Sequence, residues 1–226
     1  MIQKTLISHS VSDRVDLAIN KAVDLFINKL SKKYYSISVE APFQLHVMKC
    51  VEQILDQLTF SKNERFIVDL EKNIPLNGRN DEVDGVIEYY FNGDLKEQYL
   101  IEFKYKKPKD GGPNSINIEA YVDIAELEQQ LNNPIIKGCY FIFLTNDKDF
   151  TVPGRNSTAN RMVFPLHDGY TIEARRYSPL VPAAVKQLKC CGHPEGYLSF
   201  NKQHLVEYSH FNDIDNNQYW YLLMKI

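Results

Sequence analysis

The chain has 226 residues, a formal net charge of −3, 44% hydrophobic residues and 24% charged ones. That length suits one domain with a sizeable core, and the composition is that of an ordinary globular protein. The acidic balance excludes a protein that coats nucleic acid through bulk electrostatics, and no apolar run is long enough to span a bilayer.

Residues 1–10 carry no apolar segment of a secretory leader, so a cytoplasmic location is expected, without membrane attachment. From residue 11 apolar side chains recur at helical spacing (Val15, Ile19, Ala22, Val23, Phe26, Leu30), which predicts a helix over 11–30 capped by Ser12 or Asp13. A second helix is expected over 39–58, with Ser38 as its cap and Pro42 in its first turn. Strands are expected over 65–74, 82–91 and 98–106. A Gly/Pro loop follows at 108–113, then a helix over 117–131 and an apolar strand over 139–145 suited to a sheet interior. Residues 147–160 read as a long polar loop. From 161 the chain reads as short strands and turns ending in a strand at 219–226. The order predicts a mixed α/β fold in a single domain over 1–226, with a core at about 39–145 and a β-rich C-terminal extension at 161–226.

Of the four cysteines, Cys50 and Cys139 read as small core residues. Cys190 and Cys191 lie near His193, but the second ligand pair of a zinc site is missing, and no zinc is expected. The six histidines form no metal or nuclease pattern and read as structural or exposed. There is no phosphate-binding glycine loop and no nucleophile elbow.

The chemistry concentrates in the hairpin over 82–106. Strand alternation puts Val83, Gly85, Ile87 and Tyr89 on one face and Glu82, Asp84, Val86 and Glu88 on the other. On the next strand Tyr99, Ile101, Phe103 and Tyr105 oppose Leu100, Glu102, Lys104 and Lys106. Whether the two charged faces coincide depends on the turn at Asn92-Gly93. A two-residue loop would set Asp84 opposite Ile101, on the wrong face. A three-residue loop, 91–93 or 92–94, sets it opposite Leu100 or Glu102, and that loop is expected because the other buries charge. Asp84 and Glu102 can then each give Mg²⁺ a carboxylate oxygen, with the Phe103 backbone carbonyl as a third ligand. Lys104 would orient water or offset charge developing on a phosphate. The competing reading is a solvated, salt-bridged sheet face.

Asp84 followed by Glu102-Phe103-Lys104, set on these strands between helices, resembles the PD-(D/E)XK nuclease superfamily over about 39–145. Val83 stands where the superfamily's name has proline. The resemblance implies a restriction-endonuclease-like core, a central mixed β-sheet flanked by helices. It implies an endonuclease dependent on Mg²⁺ (or Mn²⁺) that acts on DNA, in restriction or defence against foreign DNA. It also implies a glutamate from the helix before the first strand. Glu40, at the helix start, fits that place, while Glu52 in the middle reads as solvated. The segment holding Asp123, Leu127 and Glu128, and the strand end at 144–147, resemble a group of bacterial proteins of the superfamily without indicating roles. Gln129 and Gln130 read as helix surface. Lys106, Lys107 and Lys109 are candidates for phosphate contacts, as are Arg155, Arg161, Arg175 and Arg176. Cutting both strands would call for a homodimer. The alternatives are a non-catalytic nucleic-acid-binding module of a larger system, and a nuclease acting on RNA or DNA junctions.

Overall fold

The computed structural model describes residues 10–76, 79–108, 113–153 and 163–226. The expectations for residues 1–9, Lys109, Arg155, Arg161 and parts of two loops lie outside the described residues.

Helix α1 (Val11–Ser31) is capped by Ser10, not by Ser12 or Asp13. The Ser10 hydroxyl accepts the Asp13 N–H at 3.1 Å, and the Asp13 carboxylate accepts the Ser10 N–H at 3.0 Å. Asp13 is thus the third helical residue of a reciprocal capping box, a role open only to a carboxylate three residues past the cap. Helix α2 (Glu40–Gln57) starts after Val39, with no side-chain cap, so Ser38 does not fill that role. Pro42 falls in the first turn, where its missing N–H costs nothing.

Three long strands follow: β1 (Glu64–Leu76), β2 (Arg79–Phe91) and β3 (Asp94–Lys106). Helix α3 (Pro113–Gln130) leads to β4 (Ile136–Thr145). The remainder is β5 (Thr171–Ile172), β6 (Arg176–Tyr177), helix α4 (Pro182–Cys190), β7 (Leu198–Ser199), β8 (His204–Leu205), β9 (Tyr208–Asn212) and β10 (Gln218–Lys225). Helix α4 occupies a stretch that the sequence reads as strands and turns. Pro182 sits in its first turn, and Ala184 and Leu188, one turn apart, are its buried residues.

The central sheet runs in the order β1-β2-β3-β4-β10-β9. β1, β2 and β3 pair antiparallel, as do β4, β10 and β9. β3 and β4 are neighbours joined through α3, the crossover that parallel neighbours require. The fold is therefore mixed α/β, with a central mixed sheet flanked by helices. The last strand is no appendage: β10 pairs with β4, Trp220 opposite Thr145. Short pairs β5–β8 and β6–β7 make two small sheets. No helix among the described residues is long and apolar enough to cross a membrane.

The chain divides into two compact units. The first holds Met1–Phe103, Leu131–Cys139 and Asp213–Asp215. In it α2 packs on one face of the hairpin. The Phe43 ring meets Phe103 edge-on at 5.2 Å, and Met48 comes so close to Gly85 that a Cβ there would lie 2.9 Å from its terminal methyl. Gly85 is thus the price of close helix–strand approach. Arg14 on α1 pins the far end, donating to both Glu64 oxygens (3.0 and 3.1 Å) and to the Leu58 carbonyl (2.7 Å). The second unit holds Lys104–Gln130, Tyr140–Asn212 and Asn216–Ile226. It has its own aromatic core of Tyr121, Phe164, Tyr177 and Phe200, in edge-to-face contacts. Glu128 of α3 accepts the Asn201 N–H at 2.6 Å and pairs with buried His204 at 2.9 Å.

Candidate active site

The turn between β2 and β3 has two residues, not the expected three. Phe91 pairs with Asp94, and Asn92 and Gly93 both take left-handed φ values, 54° and 86°. Two positive φ values make the hairpin turn whose twist matches the strands, and Asn-Gly is its preferred sequence. The parity is corrected further on. Tyr90 pairs with Leu95 but Tyr89 with Glu97, so Lys96 is an extra residue bulged out of β3. From there the register runs unbroken to Gly85 opposite Ile101, and the next position sets Asp84 opposite Glu102.

This face of the hairpin is not the solvated one of the competing reading. Val86 and Leu100 are fully buried on it, and Glu88 is 4% exposed. Asp84 and Glu102 are half-buried. The paired ladder of β2 and β3 ends at Gly85 and Ile101, and there the Asp84 side chain replaces the backbone: its Oδ2 accepts the Phe103 N–H at 2.8 Å. Among the described residues its other oxygen takes no hydrogen bond. In an extended strand a residue's N–H and C=O project to the same side, so the Phe103 carbonyl turns toward the β2 edge as its N–H does.

Glu71 joins this row. It lies between the Leu70–Gly85 and Lys72–Val83 pairs, at the register position across from Asp84, with φ 52°. A non-glycine residue in the left-handed region within a strand is uncommon and gathers at functional sites. Its only trace in the sequence is the polar run Glu71-Lys72-Asn73, which breaks the alternation of Phe66, Val68 and Leu70.

Glu40 is the first residue of α2, half-buried, in the same unit as Asp84 and Glu102. A carboxylate there also complements the helix dipole. Glu52 is exposed. Lys104 follows Glu102 by two along β3, which by alternation is the same strand face. Its ammonium lies 2.9 Å from Asp123 of α3, with side chains 16% and 15% exposed.

Around α3, Gln130 is buried, against the expectation of helix surface, and Gln129 is half-buried. Glu126 lies 3.5 Å from buried His193, and Gln187 reaches Glu119 at 3.4 Å. Cys190 is exposed and Cys191 half-buried. Burial, followed by the fields of Glu119, Glu126 and Asp123, pushes the Cys191 thiol up, which makes it a poor nucleophile and a poor metal ligand. Arg175 stacks on Tyr177 and Arg176 on Tyr197, both exposed, while Lys106 and Lys107 are half-buried.

Among the described residues no three His, Cys, Asp or Glu side chains form a group able to hold a metal ion. A divalent ion at the hairpin would therefore rest on two carboxylates and a backbone carbonyl, with water completing its shell. That donor set fits Mg²⁺, which takes hard oxygen ligands and keeps several waters. Compared with protein-family models, curated proteins and solved structures, the chain matches none.

Proposed function

We propose that this protein is a Mg²⁺-dependent deoxyribonuclease with a restriction-endonuclease-like core, resembling the PD-(D/E)XK superfamily. The observation that carries the reading is the hydrogen bond of the Phe103 amide to the Asp84 carboxylate, just past the last pair of a ladder whose Lys96 bulge brings Gly85 opposite Ile101; continuing that register by one position would set Asp84 opposite Glu102. Asp84, Glu102 and the Phe103 carbonyl would hold the ion. When bound, the ion polarises the scissile phosphate and lowers the pKa of a coordinated water. Asp84 keeps one oxygen toward the ion while the Phe103 N–H fixes the other. Glu102 gives the facing carboxylate, and Glu40 adds negative charge from the start of α2. Lys104 orients the attacking water or offsets charge on the phosphate. A role in restriction or defence is what the resemblance implies, and a homodimer would cut both strands.

The test is plasmid cleavage by the purified protein with Mg²⁺ or Mn²⁺, with EDTA, RNA and junction DNA as separate arms. Cleavage is expected to stop with EDTA and to fall by about 1,000-fold in Glu102→Ala and Asp84→Asn, and by about 100-fold in Lys104→Ala. Undiminished cleavage by Glu102→Ala overturns the reading. DNA binding without cleavage under either metal favours a non-catalytic module instead.

A further inference from the structure

We propose that Asp123 is a positioning residue, holding the Lys104 ammonium in the single arrangement that the reaction uses. The inference rests on the nuclease reading and adds to it a residue from a different element. A lysine carries its charge on a flexible four-carbon stem, so an unanchored ammonium spreads over many rotamers. Here it lies 2.9 Å from the Asp123 carboxylate, and both side chains are about five-sixths buried (16% and 15% exposed), which sets the pair apart from a solvated surface bridge.

The neighbours on α3 sharpen the assignment. Glu119, Asp123 and Glu126 fall four and three residues apart, on one helix stripe. Gln187 reaches Glu119 at 3.4 Å and His193 lies 3.5 Å from Glu126. Of the three carboxylates, Asp123 is the one set against Lys104. Removing its charge while keeping its shape should leave Lys104 present but poorly aimed, and poor aim lowers turnover more than substrate binding.

The experiment uses the full chain, supercoiled plasmid and Mg²⁺. Asp123→Asn is expected to lower kcat by about 10- to 100-fold with KM within about twofold of wild type, and Asp123→Glu to recover much of the loss. Lys104→Ala combined with Asp123→Asn should be no worse than Lys104→Ala alone, since the two act as a unit. In the metal-free protein, acylation of Lys104 read by peptide mass spectrometry should rise by about threefold in Asp123→Asn, as the amine loses its partner. If Asp123→Asn fails to fold, Asp123→Ser, which also removes the charge, carries the test, with kcat lowered and KM kept. Wild-type kcat in the folded variant, or additive losses in the double variant, overturns the inference. A wild-type protein that cuts nothing, or a Glu102→Ala variant that cuts normally, overturns the nuclease reading beneath it. An inactive Glu102→Ala beside a fully active Asp123→Asn overturns the inference alone.

Discussion

Asp84 and Glu88 stand four residues apart on the same face of β2, and their surroundings are opposite. Glu88 is 4% exposed and wrapped by side chains of β1, β2 and β3: Lys72 at 2.8 Å, the Gln98 amide at 2.8 Å and the Tyr90 hydroxyl at 3.1 Å. Burial alone would raise its pKa, but Lys72, Gln98 and Tyr90 outweigh burial and hold it below the ordinary 4.5. Asp84 is half-buried and takes one backbone N–H. A buried carboxylate with both oxygens answered is a structural element. One held on a single amide, with an oxygen to spare among the described residues, gives up stability that more donors would supply, and such concessions gather at functional sites.

The largest expected effect comes from breaking the register that places both. Inserting one alanine after Lys96 adds a second extra residue to β3, and with a one-residue bulge the Asn92-Gly93 turn then counts Asp84 opposite Ile101. The charged and apolar faces of β3 would exchange, or the turn would have to rearrange. Either costs more than about 3 kcal/mol and abolishes cleavage. Lys96→Ala keeps the residue and should stay within about 0.5 kcal/mol of wild type, because its ion pair to Asp94 at 3.1 Å is at the surface. Urea titrations of the two variants decide it: an insertion as stable as Lys96→Ala means that this stretch does not set the register.

The same stretch shows what the sequence could and could not say. Alternation told the two faces of β2 and β3 apart, and parity required one extra residue between Asp84 and Glu102. Where that residue went was hidden, because Asp94, Lys96 and Glu97 are all polar, and each phasing costs about the same. The helix caps failed for a similar reason. Ser10, Ser12 and Asp13 are all competent caps, and only the carboxylate's reach back to the Ser10 N–H decides among them. Helix α4 buries only Ala184 and Leu188, too few to show a period. The pairing of Lys104 with Asp123 joins different elements and leaves no local pattern at all.

A smaller effect separates the two carboxylates directly. Glu88→Ala leaves the Gln98 amide without its acceptor and Lys72 with only the exposed Asp69 at 3.4 Å among the described residues, and should cost about 2–3 kcal/mol. Lys72 is one-third exposed and can rehydrate, which keeps the figure below that of a fully buried pair. Asp84→Asn still offers an oxygen to the Phe103 N–H and should change stability by less than about 1 kcal/mol. Activity should run the other way, lost in Asp84→Asn and kept in the folded fraction of Glu88→Ala. Two variants that lose stability equally would erase the distinction.

The smallest effect lies in acid. The folded pKa of Glu88 is depressed, so its contribution is present above about pH 4.5 and is lost as pH falls through the folded value. Lys72→Met removes the side chain that, after burial, does most to set this shift, so burial is opposed only by Gln98 and Tyr90 and the depression shrinks. Less of the Glu88 contribution then remains to be gained on going from pH 3 to pH 5. The wild type should therefore gain more stability between pH 3 and pH 5 than the variant, by about 1 kcal/mol. Glu64 is also depressed; burial alone would raise it, but Arg14 and the Phe60 N–H outweigh that, so both proteins keep a common acid slope from Arg14–Glu64. The difference between their slopes reports on the carboxylates that Lys72 meets, buried Glu88 at 2.8 Å ahead of exposed Asp69 at 3.4 Å. Parallel slopes would mean that Lys72 does not hold that carboxylate in its charged form, and the contrast with Asp84 would then rest on Gln98 and Tyr90 alone.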